Sequence, residues 1–334
     1  MQIKKQKDAR KMISVSILLV IGLVSIISPT LTQGQEAKFP SKAIDVVVPY
    51  APGGIIDVGT RIFGEFLSRE LKVPIVIKNV SGGGGMTGAT AYLSSKPDGY
   101  TLLSSSGGAI TSTVQLAKTP PFDPMKDFLP VGYIADAPIA MSVPKASPFK
   151  SFDDFLQFAK NNPGKLKGGV SSLGGETHIM FMSILKETKI DIKMIPYPGT
   201  GQLVTALLGE HVDWMTLTLP ATLPYARSGD ARVLLLTRPS PALPGVPSGR
   251  EKGLPSVSFN IWVSFFALPQ IPKVVYDRLV SAVEAVAKNP EVEKKLVDAG
   301  FQAQYKTPVE LSNLIRDEWR MLSQIIKETG MKVD

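Results

Sequence analysis

Apolar residues along the chain alternate between short runs typical of β-strands and longer segments with helical spacing. Val58, Ile62 and Phe66 recur every four residues, as on the buried face of a helix. Alternating elements of this kind predict an α/β fold whose mainly parallel sheets carry helices on both faces. The predicted strands are Ile44–Pro49, Ile75–Asn79, Tyr100–Ser104, Ile139–Val143, Lys167–Ser171, Lys193–Tyr197, Val212–Thr218, Val233–Thr237 and Trp262–Leu268.

The second half of the chain contains a long stretch rich in proline, glycine and serine, Arg238–Ser256. Its prolines exclude regular structure, so we predict a surface excursion. Helices are predicted after it at Lys273–Lys288, Glu291–Ala299 and Pro308–Glu328, and a capping box is predicted upstream at Ser151. A length of 334 residues suits two domains.

The first residues have the pattern of a secretory signal peptide. A basic segment, Lys4–Lys11, precedes the apolar run Met12–Ile27, which serines and Gly22 interrupt. The run falls short of the ~20 apolar residues that a membrane-spanning helix normally needs. We therefore predict a cleaved signal peptide over residues 1–37 and a periplasmic protein; a retained anchor is the alternative.

The amino-acid composition excludes several kinds of binding site and catalytic group. The chain has no cysteine, which excludes disulfides, thiolate metal sites and a nucleophilic cysteine. Its two histidines, His178 and His211, are too few for a histidine metal site, so we expect no metal and no cofactor. The formal net charge is +8, but the basic residues form no block beyond the N-terminal segment. Nucleic acid is therefore not an expected partner.

An apolar strand breaks at Pro52-Gly53-Gly54 and leads into a helix that contains Asp57. Free backbone N–H groups and the positive end of the helix dipole meet at such a junction, which suits an anion. Glycines at 53 and 54 allow a ligand to approach the backbone closely. The alternative is a plain tight turn in which Asp57 complements the start of the helix.

A second glycine loop, Gly82–Gly88, satisfies the G-x-G-x-x-G pattern of dinucleotide-binding proteins. That pattern also requires an acidic residue about twenty positions further on to bind the ribose. The next strand ends instead in Ser104-Ser105-Ser106. We therefore set the dinucleotide interpretation aside.

A third junction, Gly168–His178, repeats the order of strand, small residues and helix in the second half of the chain. Together with the junction at Gly53, it would form a pincer for an anionic group. Ser171 or Ser172 with a histidine base would instead make a secreted serine hydrolase. The G-x-S-x-G elbow of such enzymes is not matched here, but the hydrolase remains the alternative.

Several short motifs recur in the order found in one known family. On these motifs the chain resembles the substrate-binding proteins of the tripartite tricarboxylate transporters, the Bug-type (TctC-like) periplasmic receptors. The resemblance covers essentially the whole chain after the signal peptide. The motifs are Val48-Pro49-Tyr50-Ala51-Pro52-Gly53-Gly54 with Asp57, the Gly82–Gly88 loop, Pro97-Asp98-Gly99-Tyr100, Pro121-Phe122-Asp123-Pro124, Pro196-Tyr197 with Gly199, and Leu243-Pro244-Gly245-Val246-Pro247.

The resemblance implies a two-lobed Venus-flytrap protein that closes over a small organic carboxylate without catalysis or cofactor. The first lobe would comprise 38–137 plus 261–334, and the second 138–260. A monomer that meets membrane permease subunits transiently is implied; an orphan receptor serving a sensor is the alternative. The ligand-binding residues implied are Tyr50, Ala51, Gly53, Gly54, Asp57, Ser105, Ser106, Ser171, Ser172, Gly174, Gly175, Glu176, Thr177, His178, Tyr197 and Gly199.

The chain departs from the family pattern at the third junction. The family loop usually reads Ser-x-Gly-x-Gly-Ser-x-x-His, whereas this chain has Val170, Ser172 and Gly175 at three of those positions. Glu176 adds a negative charge to the first turn of the helix, where the dipole alone would favour it by about 0.3–1 kcal/mol. If Glu176 faces the cleft, it would repel a second ligand carboxylate and favour an amine or a hydroxyl.

Overall fold

The computed structural model describes residues 39–171, 173 and 175–329. The predicted signal peptide lies outside this range, as do Ser172 and Gly174 of the third junction. From Phe39 onward the described chain packs as one unit. Within the described part, no helix combines the length and the apolarity that crossing a membrane requires.

Strands and helices alternate along the chain, which confirms the predicted α/β fold. The strands are β1 (Ile44–Val48), β2 (Ile75–Asn79), β3 (Thr101–Ser105), β4 (Leu129–Ala137), β5 (Ile139–Pro144), β6 (Lys167–Val170), β7 (Lys193–Pro196), β8 (Trp214–Thr218), β9 (Ala231–Leu236), β10 (Ile261–Ala267) and β11 (Gln302–Lys306). The helices are α1 (Ile55–Leu71), α2 (Met86–Leu93), α3 (Thr113–Leu116), α4 (Pro124–Asp127), α5 (Phe152–Asn161), α6 (Glu176–Thr188), α7 (Thr200–Leu208), α8 (Leu219–Ser228), α9 (Lys273–Ala287), α10 (Pro290–Asp298) and α11 (Pro308–Thr329).

The strands form two sheets, each of which is the centre of one lobe. The first sheet has the order β11-β4-β10-β3-β1-β2 and the second the order β7-β6-β8-β5-β9. We call the sheet that contains β1, with its helices, the first lobe, and the other the second lobe. The chain leaves the first sheet between β4 and β5 and returns between β9 and β10.

The prediction of mainly parallel sheets is wrong, because both sheets are mixed. The strand β1 pairs in parallel with β2 and β3, and β6 with β7 and β8. The crossover strands pair antiparallel: β10 with β3 and β4, and β5 with β8 and β9. The reason is the connectivity, since a strand that leaves a lobe lies beside the strand that re-enters it, and the two run in opposite directions.

The segment 238–256 contains no helix or strand of the described chain, as its prolines predict. The connections between the lobes are tied together at its start. Arg238 Nη2 lies 3.1 Å from Asp136 Oδ1 at the end of β4. The Ile139 amide donates to Thr237 Oγ1 at 3.0 Å. The two crossovers are therefore held side by side.

The core of the second lobe fixes the helix that starts at the third junction. On α6, Phe181 stacks on Trp214 of β8, with ring centroids 4.4 Å apart and planes 7° from parallel. Both side chains are fully buried. A Cβ at Gly168 on β6 would lie 2.4 Å from Phe181 Cε2, so only glycine lets the helix approach the sheet this closely.

The predicted capping box at Ser151, with Asp154, is confirmed at the start of α5.

Candidate functional site

The first junction, between β1 and α1, is held in shape by Asp57. Gly53 has a φ of +79°, and its amide donates to Asp57 Oδ2 at 2.9 Å. Asn79 Nδ2 donates to Asp57 Oδ1 at 2.9 Å and to the Tyr50 carbonyl at 3.0 Å. Arg61 Nη2 completes the cluster, 2.8 Å from Asp57 Oδ1. The buried Asp57 therefore holds the loop in shape from its inner side, and the exposed Gly53 forms the solvent-facing surface of the loop.

The electrostatics of Asp57 follow from these contacts. Burial alone would raise its pKa, since only 2% of the residue is exposed. Hydrogen bonds from Arg61, the Gly53 amide and Asn79 outweigh burial and hold the pKa of Asp57 below its ordinary value. The loop consequently contains a fixed negative charge that is fully engaged by its own backbone and by Arg61. The helix start at Gly54 has no capping side chain, so the first-turn N–H groups of α1 need another acceptor.

Tyr50 forms the base of the candidate site in the first lobe. Its hydroxyl lies 2.9 Å from Ser106 Oγ and accepts a hydrogen bond from the Ala109 amide at 2.9 Å. Burial, and then the charge of Glu176, raise the pKa of Tyr50 well above its ordinary value. A Cβ at Gly85 would lie 3.3 Å from Tyr50 Cζ. The glycine loop thus packs against the Tyr50 ring and has a structural role at this site.

Glu176 of the second lobe lies close to Tyr50 of the first lobe. It occupies the first turn of α6, whose preceding residue Gly175 offers no capping side chain. Burial raises the pKa of Glu176 above its ordinary value, against the opposing effect of its own amide, of the Gly108 amide and of the Ser106 hydroxyl. A Cβ at Gly108 would lie 2.8 Å from Glu176 Oε1 and 3.1 Å from the Tyr50 hydroxyl. Glu176 therefore faces the first lobe.

A second carboxylate, Glu318 on α11, lies against Gly107, the residue before Gly108. Its Oε2 accepts from Thr111 Oγ1 at 3.1 Å, and its Oε1 is 3.4 Å from Trp262 Nε1. A Cβ at Gly107 would lie 2.5 Å from Glu318 Oε2. Burial, and then the charge of Glu176, raise the pKa of Glu318 to about 7.

Sequence reasoning missed Glu318, although a signal for it existed. Leu311 and Ile315 are buried on α11, and Glu318 follows them at the spacing of the same helical face. A carboxylate on an otherwise buried stripe needs a partner or a shifted pKa, which marks it as a candidate functional group.

The remaining site residues lie at the carboxyl ends of parallel strands, where open α/β sheets bind ligands. Ser171 follows β6, and Tyr197 follows β7 with its amide donating to the Val170 carbonyl at 2.9 Å. Gly199 is the residue before α7. Ser105 lies at the buried end of β3, next to Ser106. Ala51 is exposed and Gly54 half-buried in the first junction.

Two polar residues of the first turn of α6 complete the second-lobe side. Thr177 is 5% exposed, and its Oγ1 has no hydrogen-bond partner among the described residues. Its carbonyl accepts from Thr216 Oγ1 at 2.9 Å. His178 is half-buried, and burial lowers its pKa. The structure thus brings Tyr50, Ser106 and Glu176 into contact, with Thr177 beside them and Asp57 behind the loop.

Glu318 makes stability depend on pH in a defined direction. Its folded pKa of about 7 exceeds that of the unfolded chain, so its contribution is present at low pH and is lost as pH rises through 7. We expect Glu318→Gln to raise the free energy of unfolding by about 1–3 kcal/mol at pH 8 and to give no gain at pH 5. Urea unfolding at the two pH values measures this. The exposed neighbour variant Asp317→Asn is the control, and a destabilised Glu318→Gln protein at pH 8 would contradict the account.

Comparisons with known proteins place the chain among one group of receptors. The model of the tripartite tricarboxylate transporter family receptor matches residues 60–331. The protein BugT of Bordetella pertussis is 30% identical over 325 residues, which cover 95% of this chain and 98% of that protein.

Solved structures extend the similarity to the fold. MatC (Rpa3494) from Rhodopseudomonas palustris with bound malate is 28% identical with a TM-score of 0.76, covering 86% of this chain and 100% of that chain. Rpa4515 from R. palustris with adipate is 27% identical with a TM-score of 0.82, covering 88% of this chain and 99% of that chain. Both similarities span the two lobes and both crossovers.

Proposed function

Because the chain belongs to the tripartite tricarboxylate transporter receptor family, we propose that it is an extracytoplasmic solute-binding protein for a small carboxylate-bearing molecule. The observation that carries the proposal is the contact across the cleft, where Glu176 of the second lobe lies against Gly108 of the first, beside the Tyr50 hydroxyl. Two structural relatives hold malate and adipate, which supports a carboxylate as the common ligand group.

The ligand carboxylate would be held by backbone N–H groups. Helices α1 and α6 both begin at glycines without capping side chains, Gly54 and Gly175, so their first-turn N–H groups and dipoles suit an anion. Side chains next to these turns, Tyr50, Ser106 and Thr177, supply further polar contacts. Backbone groups would therefore bind the ligand carboxylate, and a few side chains would contact the rest of the ligand.

Ligand binding would favour a closed form of the protein. A ligand that contacts both helix starts has more contacts when the lobes are together, so it shifts an open–closed equilibrium toward closure. The crossovers tied by Arg238 and Asp136 would act as the hinge. Membrane permease subunits would then bind the closed form in preference to the open form. We propose that the chain reaches the periplasm through its cleaved signal peptide and performs no reaction on the ligand.

Native mass spectrometry of freshly purified protein tests this function. We expect an adduct with the mass of a small organic carboxylate that is released on unfolding. Ester and amide probes provide the enzymatic comparison, and no turnover is expected. Turnover that Ser171→Ala abolishes would contradict the proposal in favour of a hydrolase.

A further inference from the structure

The candidate site contains two carboxylates, and within the described part of the chain no lysine or arginine forms an ion pair with either of them. Glu176 lies against Gly108 and Glu318 against the adjacent Gly107, close enough for the charge of Glu176 to raise the pKa of Glu318. The donors to Glu318 are neutral, the Thr111 hydroxyl and the Trp262 indole, and the groups that lower the pKa of Glu176 are also neutral, two amides and a hydroxyl.

A ligand carboxylate at the two helix starts would add a further negative charge nearby. Like charges in a poorly solvated cleft repel strongly, and a ligand with a second carboxylate would increase that repulsion. A protonated amine does the opposite, because it offers N–H donors and a positive charge to a carboxylate that has only neutral partners. The arrangement therefore discriminates between ligands by the charge of their second polar group.

The first turn of α6 supports a ligand in this position. Thr177 follows Glu176 directly, and its buried Oγ1 lacks a hydrogen-bond partner among the described residues. Leaving a buried hydroxyl unpaired costs about 1–3 kcal/mol, which a polar ligand group would relieve. Glu176 itself lies at the contact between the lobes, against Gly108. A ligand that enters the cleft meets this carboxylate.

We propose that Glu176 is a specificity-determining residue that selects an amino-carboxylate, a ligand with one carboxylate and one protonated amine, over a dicarboxylate. The inference rests on the proposed function, since it concerns the same cleft. The helix starts at Gly54 and Gly175 hold the ligand carboxylate, and Glu176 pairs with the ammonium group. Above pH 7, where Glu318 is ionised, its charge next to Gly107 adds to this preference.

Calorimetry with matched compounds tests the inference. The probes are amino acids with terminal amines, from β-alanine to 6-aminohexanoate, and the diacids of equal length, together with aspartate and malate. We expect the full-length mature protein to bind the best amino-carboxylate at least ~10-fold more tightly than its matched diacid. In Glu176→Gln that affinity should fall by about 10- to 100-fold, while the diacid gains, because the amide keeps the shape but removes the charge.

Glu187→Gln is the matched control, since Glu187 lies at the far end of the same helix, where its Oε1 accepts from the Ser256 amide. It should keep the preference of the unmodified protein, and circular dichroism should show that all variants fold. A diacid that binds as tightly as its amino-carboxylate, or a ratio unchanged in Glu176→Gln, would overturn this inference alone. Absence of binding with every compound would overturn the proposed function as well.

Discussion

Replacing Gly88 with alanine is expected to weaken both the fold and ligand binding. A Cβ at this position would lie 2.3 Å from the Val80 carbonyl oxygen and 2.6 Å from Pro49 Cα. Both are backbone atoms that cannot rotate away, so Pro49 and the adjoining Tyr50 must move. We expect a loss of about 1–3 kcal/mol in the free energy of unfolding, and a fall of at least ~10-fold in ligand affinity. Urea unfolding and calorimetry measure the two effects.

Gly201→Ala is the control for this substitution. Gly201 lies within α7, and a Cβ there has no atom within 4 Å. Alanine should therefore be tolerated, or stabilise the helix by up to about 1 kcal/mol, because it is the better helix former. A Gly88→Ala protein with the stability and affinity of the unmodified chain would show that the glycine loop does not position Tyr50.

The largest loss of stability is expected for Phe181→Ala. The Phe181 ring is fully buried and stacks on Trp214, so its removal leaves a cavity between α6 and the second sheet. Substitutions of this kind cost about 3–5 kcal/mol. The same helix begins with Glu176, so we also expect weaker ligand binding. The unfolding midpoint in urea and the affinity of the folded fraction report the two changes.

Met182→Ala provides the comparison on the same helix. Met182 is 46% exposed, so its truncation removes little buried surface and should change stability by about 0.5 kcal/mol or less. Equal losses for the two variants would contradict the placement of α6 against the second sheet.

The sequence predicts most strands correctly, and each of the two it misses, β4 and β11, has a physical explanation of its own. Strand β4 contains Pro130 and Gly132, which weaken a strand pattern, and its pairing with β10 has register shifts at this end. Strand β11, Gln302–Lys306, is a sheet edge with mostly polar residues. Its alternation of polar and apolar residues is short and includes only Ala303 and Tyr305 as apolar positions, so tertiary pairing with β4 defines it.

The candidate site was predicted unevenly, because its groups come from distant parts of the chain. The motifs around Tyr50 and Glu176 are local and visible in the sequence. Their approach at Gly108 depends on how the lobes meet, which no local pattern encodes. The sequence alone therefore does not determine the direction of the Glu176 side chain. The structure directs it to the first lobe.

Isothermal titration calorimetry on refolded, ligand-stripped protein tests the central claim most directly. Titration with mono-, di-, hydroxy- and amino-carboxylates should give saturable heat for at least one compound, with micromolar or tighter affinity. Tyr50→Phe removes the hydroxyl that contacts Ser106 and the Ala109 amide, and it should weaken that binding by about tenfold. Absence of heat across the whole panel, from protein that is folded by circular dichroism, would contradict a carboxylate site between the lobes.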